Sequence, residues 1–102
     1  MLTDITARRD QIAALCRRHH VRRLELFGSA ARGTGFDPAR SDLDFLVEFS
    51  PDRPPTLAGF FALREALADL LGRPVDLVAP TALRNPYLRA DVFRHREVVY
   101  AA

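Results

Sequence analysis

The clearest alternation of apolar and polar residues runs from residue 42 to residue 49. Apolar side chains occupy every second position there, and the positions between them carry acidic residues and one leucine; the apolar set is Leu43, Phe45, Val47 and Phe49. Successive side chains of a strand point to opposite faces, so this segment predicts a strand with one apolar face. Shorter β-rich runs predict strands at residues 21–27 and 74–78 and an edge strand at 97–100.

Two longer segments carry apolar residues at helical spacing. The first predicts a helix over residues 4–19, with Thr3 or Asp4 as its N-cap. The second predicts a helix between an N-cap at Thr56 and a C-terminal stop at Gly72. Both helices are long enough to cover one face of a small sheet.

Helices and strands alternate along the chain, with two further short helices expected at residues 29–32 and 86–94. A helix joins the second and third strands, so these two should lie parallel, whereas the short link between the first and second strands favours an antiparallel pair. The pattern predicts an α+β (mixed α/β) fold in one domain, residues 1–102, with a mixed sheet of three to four strands and flanking helices.

Composition narrows the function classes. The chain has 102 residues, of which 48% are hydrophobic, which excludes a disordered chain. It shows no membrane-length apolar run and no signal-peptide pattern, and its single cysteine, Cys16, excludes an intramolecular disulfide, so we expect a cytoplasmic protein without membrane contact. All fifteen cationic residues are arginine, which removes lysine from any mechanism. The net charge is only +2 and the arginines are scattered, which does not favour direct nucleic-acid binding.

Acidic residues stand at the beginning of two predicted strands. Asp42 and Asp44 would project from one face, about 6.5–7 Å apart at the backbone, and Asp76 has the same setting on the third strand. Carboxylates this close repel each other unless a cation lies between them, and their hard oxygen atoms suit Mg²⁺. If the second and third strands are neighbours, the three carboxylates form a site for two metal ions of the kind that assists phosphoryl transfer. Periodicity alone supports equally well a turn at Asp42 with Asp44 on a solvated edge.

A glycine and a serine follow the first strand. Gly28 would allow backbone N–H groups to approach a phosphate closely, and the Ser29 hydroxyl would add a donor. Arg32, one helical turn later, could bind the same anion in a bidentate manner. A Gly-Ser pair is common in ordinary turns, so its significance comes from its position just ahead of the acidic pair.

Taken together, the stretches FGSAARG, SDLDFLVEF and PVDLV resemble the minimal nucleotidyltransferase (MNT) proteins of the DNA polymerase β superfamily, the antitoxins of HEPN/MNT toxin–antitoxin pairs. The resemblance covers nearly the whole chain and implies the nucleotidyltransferase fold. It implies Mg²⁺-dependent transfer of AMP from ATP to a tyrosine of a HEPN RNase toxin, which adenylylation inactivates. Twelve residues, 30–41, separate the Gly-Ser pair from the first aspartate, more than is common in the family.

The resemblance also implies roles for individual residues. Gly28 and Ser29 would hold the triphosphate, and Asp42 and Asp44 would bind the metal ions. Asp76 would complete the metal site and help to deprotonate the acceptor hydroxyl. Two other functions remain open: an antitoxin that neutralises its partner by binding alone, with an idle nucleotidyltransferase site, and a protein that binds nucleic acid through its arginines.

Overall fold

The computed structural model describes residues 3–27, 43–80 and 96–102 of the chain. The short helices expected at 29–32 and 86–94 lie outside these residues. No helix in the described part of the chain is both long and apolar enough to span a bilayer. The elements, in chain order, are α1 (Thr3–Ala7), α2 (Arg9–Arg18), β1 (Val21–Phe27), β2 (Leu43–Phe49), α3 (Leu57–Leu71), β3 (Val75–Val78) and β4 (Glu97–Ala101).

The strands form one four-stranded mixed sheet in the order β3-β2-β1-β4. Strand β1 pairs antiparallel with both β2 and β4, and β2 pairs parallel with β3. Helix α3 connects the parallel pair, because parallel neighbours need a crossover connection, whereas antiparallel neighbours do not. The predicted α+β fold is confirmed, and so is the position of the last strand at an edge.

One face of the sheet forms the hydrophobic core with the helices. Apolar residues of β1, β2 and β3 pack there against α1, α2 and α3. The largest fully buried side chains include those of Ile5, Ile12, Cys16, Leu24, Leu26, Leu43, Phe45, Leu63 and Leu67. The alternation in β2 has this physical origin, since every second residue of the strand is removed from water on this face.

Local sequence signals set both ends of α3. The hydroxyl of Thr56 accepts a hydrogen bond from the Gly59 N–H at 3.0 Å, and this satisfies one of the unpaired donors of the first turn. At the other end Gly72 adopts the left-handed conformation, with φ of 68°, and its N–H donates to the Ala68 carbonyl. The predicted bounds of this helix are therefore confirmed.

The first helix differs from its prediction. A single helix over residues 4–19 was expected, but the chain breaks at Arg8 into α1 and α2. Arg8 has φ of −109° and ψ of 17°, outside the helical region, and its N–H donates to the Ile5 carbonyl only three residues back. The next side chain, Arg9, donates to the carbonyls of Val98 and Val99 on β4, so a tertiary contact accompanies the break.

Candidate active site

Two of the predicted acidic residues lie side by side on neighbouring strands. Asp44 and Asp76 are register partners in the parallel pair β2–β3, which places their backbones about 4.8 Å apart. The residues on either side of them in the strands point into the core and are buried: Leu43, Phe45, Val75 and Leu77. Asp44 is half-buried and Asp76 is exposed. The apolar residues therefore fix the strands, and both carboxylates project from the opposite face.

This carboxylate pair lies where the chain leaves β1. Phe27, the last residue of β1, is the register partner of Asp44 on the side away from Asp76. The end of β1 and the beginnings of β2 and β3 thus share one edge of the sheet, named the acidic edge below. The N–H of Leu43 donates to the Pro74 carbonyl at 3.1 Å, which ties the beginnings of β2 and β3 together.

Four predicted site residues lie outside the described residues: Gly28, Ser29, Arg32 and Asp42. Gly28 directly follows Phe27, and Asp42 directly precedes Leu43, so chain connectivity alone ties both to the acidic edge. The binding roles of these four residues remain predictions.

The face that carries the carboxylates also has a small apolar cluster. Leu46 is only 3% exposed and packs against Phe27 and Val78. Leu46 stands two residues after Asp44 in β2, and Val78 two residues after Asp76 in β3. A low-polarity surface therefore borders the two carboxylates, and it strengthens electrostatic interactions made beside it.

Sequence reasoning overlooked Glu25 on this same face. Among residues 3–27, 43–80 and 96–102 it is the buried charged side chain, with 3% exposure. Its Oε1 pairs with Nε of Arg23, and Nε of Arg96 lies 3.1 Å from its Oε2. The Arg96 contact is an ion pair and not an aligned hydrogen bond, since Oε2 accepts none. A sequence signal existed: an arginine and a glutamate two residues apart in a strand share one face.

The donor set at the acidic edge fits a magnesium ion. Mg²⁺ prefers hard oxygen ligands and is commonly held by one or two carboxylates together with substrate phosphates. Asp44 and Asp76 supply two adjacent carboxylates. Within the described part of the chain no group of three or more histidine, cysteine, aspartate or glutamate residues could hold a metal. The predicted third carboxylate, Asp42, is not among those residues.

A cavity of about 250 Å³ lies at the other end of the sheet, near Phe49 and the beginning of α3. Its cationic lining residues include Arg18, His19, His20 and Arg53. Burial lowers the pKa of His19, and the neighbouring charges of Arg18 and His20 add to the effect. The cavity has no carboxylate in its lining and is separate from the acidic edge, so the chemistry predicted from the aspartates does not involve it.

Most of the chain is similar to proteins of one family. Residues 8–99 match the family model described as a nucleotidyltransferase domain. The protein adenylyltransferase MntA of Thermococcus cleftensis is 40% identical over 83 residues, which is 81% of this chain and 77% of that protein.

Solved structures show the same likeness. A provisionally named minimal nucleotidyltransferase is 42% identical, with a TM-score of 0.71 over 90% of this chain and 89% of that one. A Shewanella oneidensis complex of a tri-AMPylated HEPN toxin with an MNT antitoxin matches with a TM-score of 0.64 over 96% of this chain and 73% of that one. At 22% identity this second likeness is one of fold.

Proposed function

The chain belongs to the nucleotidyltransferase domain family, as its sequence predicts, and we propose that it is a protein adenylyltransferase that acts as an antitoxin. In this proposal it moves AMP from ATP, with Mg²⁺, onto a tyrosine of a HEPN-type toxin. The pairing of Asp44 with Asp76 at the acidic edge carries the proposal. A fold kept only for binding has no need of two adjacent like charges, which destabilise a sheet unless a cation lies between them.

The reaction is a displacement at the α-phosphorus of ATP. The phenolic oxygen of the acceptor tyrosine forms a bond to this phosphorus, and the bond from the phosphorus to the bridging oxygen of the pyrophosphate breaks. Pyrophosphate leaves with that electron pair, and the phenolic proton passes to the carboxylate of Asp76. Asp76 suits this role because it is the exposed member of the pair and can be reached by a bulky protein acceptor.

The proposal assigns the metal to three carboxylates, Asp42, Asp44 and Asp76. Bound Mg²⁺, at one or two sites, neutralises phosphate charge and stabilises the attacking and leaving oxygens. The protein contributes the rigid position of the ligands, because the strands that carry them are fixed by the buried residues beside them. Gly28, Ser29 and Arg32 hold the triphosphate in the same proposal.

Two findings about related proteins support the choice of acceptor. A 40% identical relative is a protein adenylyltransferase, so the group transferred is AMP and the acceptor is a protein. The complex with the similar fold joins an MNT antitoxin to a HEPN toxin that carries AMP groups. Adenylylation of a HEPN-type partner is therefore the form of antitoxin activity that we propose for this chain.

A transfer assay tests the proposal. The purified protein, MgATP and its HEPN-type partner are incubated, and the intact mass of the partner is measured. An adenylate-sized gain should appear with the wild type and disappear with Asp44→Asn, Asp76→Asn or EDTA. The matched control is Asp69→Asn, the same change at an exposed site of α3, which should leave the transfer intact.

The same experiment separates transfer from binding. If no mass gain occurs, but the wild type and Asp44→Asn form equally stable complexes with the partner, the protein neutralises by binding alone and the enzymatic proposal is wrong.

A further inference from the structure

A single row of residues crosses the sheet at the acidic edge. Asp76 pairs with Asp44, and Asp44 pairs with Phe27. On the other side of β1, Leu26 pairs with Glu97, so the next step of this antiparallel register places Arg96 opposite Phe27. Asp76, Asp44, Phe27 and Arg96 therefore occupy one row, with the carboxylates toward one end and an arginine at the other.

The contacts of Arg96 place its side chain on the same face as the carboxylates. Its Nε lies 3.1 Å from Oε2 of Glu25, and Glu25 is the register partner of Leu46, which follows Asp44 on that face. Strands are about 4.8 Å apart, so the backbones of Asp44 and Arg96 are separated by roughly 10 Å. A long arginine side chain can cover much of this distance. Between them β1 ends and the chain enters the Gly28-Ser29 pair.

Glu25 holds Arg96 without neutralising the group as a whole. One buried carboxylate pairs with two guanidinium groups, those of Arg23 and Arg96, so the cluster retains a net charge of +1. The Arg96 side chain remains 37% exposed, and its contact with Glu25 is made by Nε. The arginine is thus fixed near the base of its guanidinium group and can still be reached by a ligand from solvent.

We propose that Arg96, positioned by Glu25, binds the terminal phosphates of the nucleoside triphosphate. The inference rests on the proposed function, because it requires the α-phosphate to lie at Asp44 and Asp76. The remaining phosphates then extend along the row away from the carboxylates, which repel them, toward the cation at its other end. A guanidinium group binds phosphate oxygens in a bidentate manner, which makes arginine suited to this position.

Arg23 provides a matched control for this assignment. Like Arg96 it pairs with Glu25 through Nε and is partly exposed, so its loss removes a comparable ion pair. Arg23 differs in position, since it pairs with Glu48 on β2 and lies four residues before Phe27. A purely structural role of the cluster predicts similar behaviour of the two arginine variants, whereas a role in phosphate binding does not.

The test is the affinity for MgATP, measured by calorimetry on the whole protein. Arg96→Gln should weaken binding roughly 10- to 100-fold, the range expected for lost charged hydrogen bonds. Arg23→Gln should change it less than about threefold. Arg96→Lys keeps the charge but not the bidentate geometry and should show an intermediate loss; it replaces the glutamine variant if that one does not fold.

Glu25 acts through Arg96 in this proposal, which a double variant can show. Glu25→Gln alone should weaken MgATP binding several-fold, and Glu25→Gln/Arg96→Gln should bind no worse than Arg96→Gln. Additive losses would assign Glu25 a general structural role and overturn its positioning role.

Two other outcomes have distinct meanings. Equal MgATP affinity of the Arg96→Gln and Arg23→Gln variants would refute the assignment of Arg96 while leaving the proposed function intact. A wild type that fails to bind MgATP would overturn both, and the unsubstituted protein alone would show this.

Discussion

Replacing Asp76 by asparagine should stabilise the protein when no metal is present. Asp76 is exposed and lies beside Asp44, with the backbones about 4.8 Å apart. Two unit charges about 5 Å apart repel each other by ~0.8 kcal/mol at the dielectric constant of water, which applies because Asp76 is exposed. Measured cross-strand charge effects of roughly 0.2–1 kcal/mol agree with this value. For a chain of this length the gain corresponds to a rise in Tm of about 3–6 °C.

Magnesium should reverse the order of stability. A ligand that binds only the folded state adds about 1.4 kcal/mol of stability at ten times its Kd. The wild type should gain this amount when Mg²⁺ is added, whereas Asp76→Asn has lost a ligand and should gain less. The substitution is therefore stabilising in EDTA and destabilising, relative to the wild type, at high Mg²⁺ concentration.

Thermal unfolding followed by circular dichroism measures both effects. The wild type, Asp76→Asn and the control Asp69→Asn are compared in EDTA and in Mg²⁺. Asp69 is exposed on α3, which packs on the core face of the sheet, so its variant should follow the wild type under both conditions. A lower Tm of Asp76→Asn in EDTA, or equal magnesium stabilisation of all three proteins, would refute the reasoning.

Three further predictions concern the fold. His20 has φ of 58°, so His20→Gly should raise the free energy of unfolding in urea by roughly 0.5–1 kcal/mol. Thr56→Ala removes the α3 N-cap and should lower it by about 1 kcal/mol, whereas Thr56→Ser should not. Burial raises the pKa of Cys16 to about 12, so the native thiol should not react with a disulfide reagent at pH 8. Only the unfolded chain ionises Cys16 readily from pH 9, so stability should fall between pH 9 and 12, and Cys16→Ala should reduce that loss.

Local sequence signals predicted most of the fold because they act within a few residues. The alternation in β2, the cap at Thr56 and the left-handed glycine at position 72 each fix an element without help from distant residues. The break at Arg8 has no such signal, since neither glycine nor proline stands near it. The contact that accompanies it joins Arg9 to β4, about ninety residues away in the chain. A pattern of local periodicity cannot contain that information.

The site was predictable in its parts and not in its arrangement. Periodicity placed Asp44 on the polar face of β2, but its pairing with Asp76 depends on the register between strands separated by a helix. The pairing of Glu25 with Arg96 depends on the register of β1 with β4, which are further apart in the chain. Register of this kind is set by tertiary packing, which explains why Glu25 and Arg96 were overlooked while the aspartates were found.

The physical reason for placing function on the non-core face is that this face is poorly arranged for stability. Two like charges lie side by side at Asp44 and Asp76, and a buried carboxylate at Glu25 must be held by two arginines. Apolar residues in place of a buried ion pair are often as stabilising or more so, and an asparagine at position 76 would relieve repulsion. Both departures occur on one face, within two residues of each other along the strands. A triphosphate with its metal ion would resolve both, because it brings positive charge to the aspartates and negative charge to the arginines.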